Sequence, residues 1–132
     1  MALYTACIKE FFSLGGTRIS IMSRHTLNDG ITRDPEIVAG RNYAIHCPEF
    51  APPPKLIGDY CRRGLPWGEF AVRYLEHLRR PGVIGKVIGL AELASTQDLI
   101  VLCVECEPLF CHRRLFAEEC KRLIPTLSIV IR

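Results

Sequence analysis

The chain has 132 residues, of which 48% are hydrophobic and 23% charged, and its formal net charge is +3. This length and ordinary globular balance predict a single domain over residues 1–132. No apolar run approaches the roughly 20 residues that span a bilayer, and no secretory signal pattern opens the chain. We therefore expect a cytoplasmic protein without a membrane partner, whose seven cysteines are mostly reduced.

The first part of the chain predicts short strands separated by loops. Strands are expected over residues 2–8 and 18–23, and the second of these alternates polar and apolar residues, as strands with one buried face do. Residues 26–40 are polar and rich in turn-forming residues, so they predict a long loop. A further short strand is expected within residues 41–50, before three consecutive prolines at 52–54.

Three helices are predicted in the middle of the chain, over residues 54–63, 67–80 and 83–94. The first begins at a proline, which suits a first helical turn, and ends before Gly64. The second carries an aromatic and aliphatic stripe at helical spacing, which favours core packing over a stacking platform. With strands at 99–104 and 126–131, this alternation predicts a three-layer α/β domain with a mainly parallel central sheet flanked by helices.

The stretch 99–123 organises the rest of the chain. Its first six residues form an uninterrupted apolar run, which is typical of a strand buried on both faces. The run ends at Glu105, a short turn follows, and Cys111-His112-Arg113 open a predicted helix with an apolar side. In open α/β sheets, ligands bind beyond the carboxyl ends of the strands, so this turn is a candidate site.

The residue types in this stretch suit catalysis on an anion. Glu105 is a candidate general acid or base, and Cys111, near a helix N-terminus that lowers thiol pKa, is a candidate nucleophile. His112 can exchange a proton near neutral pH, and Arg113 offers two parallel donors to a phosphate or carboxylate. In the alternative structural interpretation, Cys111 is a small buried residue and Arg113 pairs with Glu105 or Glu107.

Ser23 and Arg24 follow the second predicted strand. If that strand runs parallel to 99–104, both residues lie at the same edge of the sheet as Glu105, where they could help to bind a ligand. The alternative is that Arg24 is an ordinary surface arginine at a strand end.

The segment LCVECEPLFCHRRLFAEEC resembles the hallmark of domain of unknown function family 488, an L-C-x-E segment followed by C-H-R at the start of a helix. Other parts of the chain are similar to the family's blocks, namely Tyr4-Thr5, residues 19–24, residues 48–52 and the helix with Tyr74. The resemblance implies a fold and a site at the hallmark, and the family name assigns no activity. His25 and residues 27–40 depart from the family pattern.

Cys103-x-x-Cys106, followed by Cys111-His112, resembles part of a zinc-ligand pattern. Cys103 lies inside a predicted strand, so its side chain need not converge with that of Cys106, and a second ligand pair at finger spacing is missing. We therefore expect no metal site. No Walker loop, dinucleotide fingerprint or G-x-S-x-G elbow appears, so no particular cofactor is indicated.

Two hypotheses follow for function. The first is an enzyme that acts on a phosphate-bearing ligand, a nucleotide or nucleic acid, with Ser23, Arg24 and Arg113 as binding residues and Glu105, Cys111 and His112 as catalytic residues. The second is a non-catalytic module that binds an anion or nucleic acid in the same pocket. A structural zinc-binding protein is the least favoured alternative.

Overall fold

The computed structural model describes residues 1–10, 15–27, 29–104 and 110–132. Within these ranges the strands are β1 (Leu3–Cys7), β2 (Thr17–Ser20), β3 (Ile45–His46), β4 (Leu99–Cys103) and β5 (Ile129–Val130). The helices are α1 (Pro54–Arg62), α2 (Trp67–Leu78), α3 (Pro81–Ala94) and α4 (His112–Leu123), and a 3₁₀ turn spans Pro48–Phe50. The five strands form one parallel sheet in the order β3-β2-β4-β1-β5.

β4 is the central strand and is buried on both faces. Leu99 and Val101 pack into the core beneath the helices, whereas Ile100 and Leu102 pack into a second core on the opposite face. A strand in this position cannot place polar side chains on either face, which explains the uninterrupted apolar run. The predicted buried strand is confirmed.

The sheet that contains β4 is the middle of three layers. Side chains of all four helices share the core on one face of the sheet, among them Leu56, Phe70, Val87 and Phe116. The opposite face is covered by the irregular segment between β2 and β3, for example by Ile37. The predicted three-layer α/β fold with a parallel sheet is confirmed, and its third layer is built from loop segments.

The helix boundaries follow the local signals. Pro54 is the first residue of α1, and Gly64 follows the helix end with a φ of 75°, which a glycine adopts without steric cost. α4 begins at His112 with Cys111 as its N-cap, within one residue of the predicted start. Among the described residues, no helix has the length and apolar character needed to cross a membrane.

A buried carboxylate ties α4 to α2. Glu119 has a side chain only 1% exposed, and it accepts hydrogen bonds from Arg79 Nε at 2.8 Å and Arg122 Nε at 2.7 Å. Burial alone would raise the pKa of Glu119, but the two guanidinium groups outweigh it and lower the pKa to about 2. The carboxylate therefore stays ionised, and it fixes α4 relative to its neighbour.

Candidate functional site

The sheet order creates a crevice beyond the carboxyl ends of β2 and β4. These strands are neighbours, yet the chain leaves β2 for β3 on one side and leaves β4 for β5 on the other. α4 makes the second connection and contacts β4, β1 and β5 on the way. Neighbouring strands whose connections diverge form a topological switch point, the usual position of ligands in open parallel sheets.

A cavity of about 200 Å³ opens at this switch point. Its walls come from the residues after β2 and β4, from the start of α4, and from α1 and α2. The lining residues are Met22, Ser23, Arg24, Pro52, Ile57, Tyr60, Cys61, Trp67, Phe70, Val104, Phe110 and His112. The structure therefore brings Ser23, Arg24 and His112, which are distant in sequence, to one cavity.

One wall of the cavity is aromatic. Trp67 stacks on Phe70 with ring centroids 5.1 Å apart, and it meets Tyr60 and Phe110 edge to face at 5.6 and 5.5 Å. Phe110 is 54% exposed, so its ring is accessible from solvent. The sequence predicted core packing for the α2 stripe. That holds for the buried Phe70, whereas the half-buried Trp67 also offers a surface to the cavity.

The polar part of the lining is small. Arg24 is exposed, and its Nη1 lies 3.4 Å from the Gly30 carbonyl oxygen. The half-buried His112 donates from Nε2 to the Ile21 carbonyl oxygen at 2.9 Å and meets the buried Tyr74 ring edge to face at 5.6 Å. An arginine and an oriented imidazole therefore share a mainly apolar cavity. The functional roles of Ser23, Arg24 and His112 stay predictions.

Arg113 points away from the cavity into the protein interior. Its side chain is fully buried, and Nη1 donates to Cys103 Sγ at 3.2 Å and to Cys111 Sγ at 3.4 Å. Nη2 donates to the Arg132 carbonyl oxygen at 3.0 Å. These contacts show a structural link between β4, α4 and the end of the chain. The predicted contact of Arg113 with a ligand stays a prediction.

Cys103 and Cys111 meet in the interior beside Arg113. Their Sγ atoms are in contact, and the two residues are 0% and 1% exposed. The sequence did not predict this contact between Cys103 and Cys111. The alternation of side chains along β4 could have predicted that Cys103 faces the helices. Cys103 lies on the same strand face as Leu99 and Val101, which pack beneath the helices. Glu105 and Cys106 lie outside the described residues, so the predicted role of Glu105 also stays a prediction.

Two further cysteines on the helical side of the sheet, Cys47 and Cys120, have the properties of inert thiols. Burial raises the pKa of Cys120 to about 12 and the pKa of Cys47 to about 11, with a further contribution from a neighbouring glutamate in each case. Both are therefore protonated at neutral pH and poor nucleophiles.

A second polar cluster lies beside the cavity and was not predicted. The Oγ of the fully buried Ser20 lies 2.7 Å from His25 Nε2. The His25 ring stacks on Tyr43 at 4.5 Å and lies 4.3 Å from the His46 ring. Burial is the largest of the causes that lower the pKa of His25 to about 4, and the neighbouring His46 and Arg33 contribute in the same direction. His25 is therefore a neutral, structural imidazole at physiological pH.

Comparison with known protein families identifies a match over most of the chain. The family described as the active DUF488-N3 subclade, DUF488-N3a, matches residues 5–122, which include the end of β1, the cavity residues after β2, and all of α4 except its last residue. Neither a curated protein nor a solved structure matches the chain. The family match covers far more than half of the 132 residues and agrees with the resemblance noted from the L-C-x-E and C-H-R segments. The chain belongs to the DUF488 family, in its DUF488-N3 subclade.

Proposed function

We propose that the protein is an enzyme that acts on a ligand combining an aromatic base with a phosphate group, either a nucleotide or a nucleotide within nucleic acid. The observation that carries the proposal is the cavity itself, which sets an aromatic wall beside an exposed arginine. Aromatic side chains stack on any base, and a guanidinium donates two parallel hydrogen bonds to a phosphate.

The dimensions of the cavity suit one base. Its volume of about 200 Å³ is below the roughly 300–1,000 Å³ of pockets that enclose a drug-sized ligand. The base would pack against Phe110 and Trp67, and the phosphate would lie at the open rim beside Ser23 and Arg24. The exposed position of Arg24 supports this arrangement, because its guanidinium is accessible to a phosphate that enters from solvent.

The catalytic groups of the proposal come from the hallmark segment. His112 is half-buried in the cavity wall, with its ring oriented by the Ile21 carbonyl. Cys111 precedes it as the N-cap of α4. Glu105, which lies outside the described residues, is the proposed general acid or base. The description of the matched family as active favours catalysis over binding alone. We place this reaction in the cytoplasm, where thiols remain reduced.

The alternative is a non-catalytic module that uses the same cavity. The enzyme and the binding module differ in product formation, because only the enzyme converts its ligand. Incubation with nucleotides or short oligonucleotides, followed by chromatography of the products, separates them.

The binding proposal can be tested through Trp67, the single tryptophan of the chain. Its fluorescence should change when adenosine monophosphate or a short single-stranded oligonucleotide is titrated, because the base stacks beside its ring. Adenosine and inorganic phosphate are the matched controls, and each should bind more weakly than the nucleotide that combines them. A preference for the oligonucleotide would indicate nucleic acid, and no response to any of the four probes would contradict the proposal.

A further inference from the structure

We infer that Cys103, Cys111 and His112 form a binding site for a divalent metal ion of the zinc type, directly behind the cavity wall. One Sγ from each cysteine and one ring nitrogen of His112 all lie within 4.8 Å of one another. Two thiolates and an imidazole are the ligands that zinc prefers in proteins. This inference replaces the expectation of no metal site, which rested on the side chains of Cys103 and Cys106 not needing to converge and on the missing second ligand pair.

The backbone spacing favours a metal bridge over a disulfide. The Cα atoms of Cys103 and Cys111 are 7.9 Å apart, whereas disulfides usually join Cα atoms roughly 4.4–6.8 Å apart. Two Zn–S bonds of about 2.3 Å at a tetrahedral angle hold their sulfur atoms roughly 3.8 Å apart, so a shared ion spans a wider backbone separation. Binding would move the two sulfur atoms apart and leave the strand and the helix in place.

The hydrogen bond of His112 supports the same assignment. Its Nε2–H donates to the Ile21 carbonyl at 2.9 Å. In the neutral imidazole this tautomer carries the lone pair on Nδ1, the atom that can bind a metal. Metal-binding histidines almost always donate the other ring N–H to a carbonyl or carboxylate, which fixes the ring orientation.

Arg113 supplies the remaining feature of a thiolate site. Its Nη1 donates to the sulfur atoms of both cysteines, at 3.2 and 3.4 Å. In the metal-bound site a guanidinium in this position would hydrogen-bond the ligand sulfur atoms, as the outer partners of metal ligands do. Binding then transfers the two thiol protons to solvent, and the neutral set of two thiolates and one dication stays compatible with the buried positive charge of Arg113.

The position of the site links it to the cavity. His112 lines the cavity, while both cysteines lie behind it in the interior. Among the described residues three ligand atoms converge, so a tetrahedral ion keeps one position for water or another donor. In the metal-bound protein His112 is a ligand and not an acid–base group, and an ion with an open position would supply the Lewis acid of the proposed enzyme. Only this last step rests on the proposed function.

Metal binding is measured on the parent protein without any nucleotide, so its result is separate from that of the cavity test. Reduced, metal-free protein is titrated with Co²⁺, and one ion per chain should produce a thiolate-to-cobalt charge-transfer band. X-ray absorption of the zinc-loaded protein should show sulfur neighbours at about 2.3 Å and nitrogen at about 2.0–2.1 Å. No binding, or a first coordination shell without sulfur, would overturn the inference.

Variants identify the ligands. Cys103→Ser and Cys111→Ser should each weaken the charge-transfer band, and His112→Gln should lower the Co²⁺ affinity at least about tenfold while the band persists. Cys47→Ser is the matched control and should bind as the parent does. Equal binding by all four variants would overturn the assignment. So would a parent protein that binds no metal and keeps a Cys103–Cys111 disulfide in reductant, seen by mass spectrometry as the loss of two hydrogens.

Discussion

The Nη1 group of Arg113 donates to the Sγ of Cys103 at 3.2 Å, from the first turn of α4 to the end of β4. The same guanidinium reaches the carbonyl of Arg132 beyond β5. One fully buried side chain thereby joins three segments that are separate in sequence. A charged group in this position is retained only where its hydrogen bonds are satisfied, because desolvation of a cation is costly.

Replacement of Arg113 should therefore lower stability. Arg113→Ala leaves its buried sulfur and carbonyl partners without their donor, and a buried acceptor left without its hydrogen bond costs about 1–3 kcal/mol. Arg113→Lys keeps the charge but loses the planar fork, so we expect an intermediate loss. Equilibrium unfolding in urea gives both values.

Arg114→Ala is the matched control for these variants. Arg114 is the next residue on α4, and its Nη1 pairs with the half-exposed Glu118 at 2.8 Å. Loss of such a surface pair costs about 0–1 kcal/mol. A urea midpoint for Arg113→Ala close to those of the parent and Arg114→Ala would show that the interior contacts of Arg113 contribute little.

The protein should lose stability as pH falls below neutrality, and His25 should cause part of that loss. Its pKa in the folded protein is about 4, below the usual 6.5. Between these values the unfolded chain binds a proton that the folded protein does not. The stability associated with neutral His25 is therefore complete above pH 6.5 and declines as pH falls toward 4. Because the ring is partly exposed to solvent, we expect a contribution of about 1–2 kcal/mol.

The His25→Asn variant tests this origin. An amide at this position cannot titrate and can still pair with Ser20 Oγ. Melting temperatures between pH 7 and pH 4 should decline less steeply for the variant than for the parent. Parallel curves for the two proteins would assign the acid sensitivity to other groups.

The fold could be predicted because its elements carry local signals. The uninterrupted apolar run of β4 is typical of a strand at the centre of a parallel sheet, buried on both faces. Pro54 and Gly64 mark the two ends of α1 through their backbone preferences. Once the strands are parallel, the crevice rule places the segments after β2 and β4 at one edge. This is why Ser23 and Arg24 could be expected near the start of α4.

The interior of the site could not be predicted in the same way. Sequence patterns treat an arginine as exposed, since charged residues are rarely buried without partners. The described partners of Arg113 come from β4, the N-cap of α4 and the chain end, and only the folded structure brings them together. The Ser20–His25 pair likewise depends on the turn that follows β2, which has no distinctive spacing in sequence.

Truncation of Phe110 should lower the affinity of the cavity for a nucleobase. Its ring is 54% exposed and meets Trp67 edge to face, so it can stack on a ligand while contributing little to the core. Loss of one stacking side chain costs about 1–3 kcal/mol, or roughly 5- to 150-fold in affinity. Fluorescence titration of Phe110→Ala with adenosine monophosphate measures the loss.

Val72→Ala provides a comparison for that variant. Val72 is a similarly exposed hydrophobic residue, 57% accessible, on α2 and outside the cavity lining. The Val72→Ala variant should bind adenosine monophosphate with the affinity of the parent. An unchanged affinity in Phe110→Ala would instead exclude this ring from the binding surface.

Arg24 should be the residue that distinguishes a phosphate-bearing ligand from its base alone. A charge-assisted hydrogen bond contributes about 1.5–3 kcal/mol, so Arg24→Ala should bind adenosine monophosphate roughly 10- to 150-fold more weakly and adenosine about as well as the parent. Because Arg24 is exposed, the melting temperature of the Arg24→Ala variant should stay close to that of the parent. Arg24→Lys keeps the charge without the bidentate geometry and should recover part of the affinity.

Salt concentration sharpens the test of Arg24. An interaction between exposed charges weakens with ionic strength, so the affinity of the parent for the nucleotide should fall between low and physiological salt, and the affinity of Arg24→Ala should fall less. Arg80→Ala removes another exposed arginine outside the cavity and should keep both the affinity and the salt dependence of the parent. If Arg24→Ala and Arg80→Ala behave alike at both salt concentrations, the anion is not bound at the rim formed by Ser23 and Arg24, and the nucleotide proposal loses its phosphate contact.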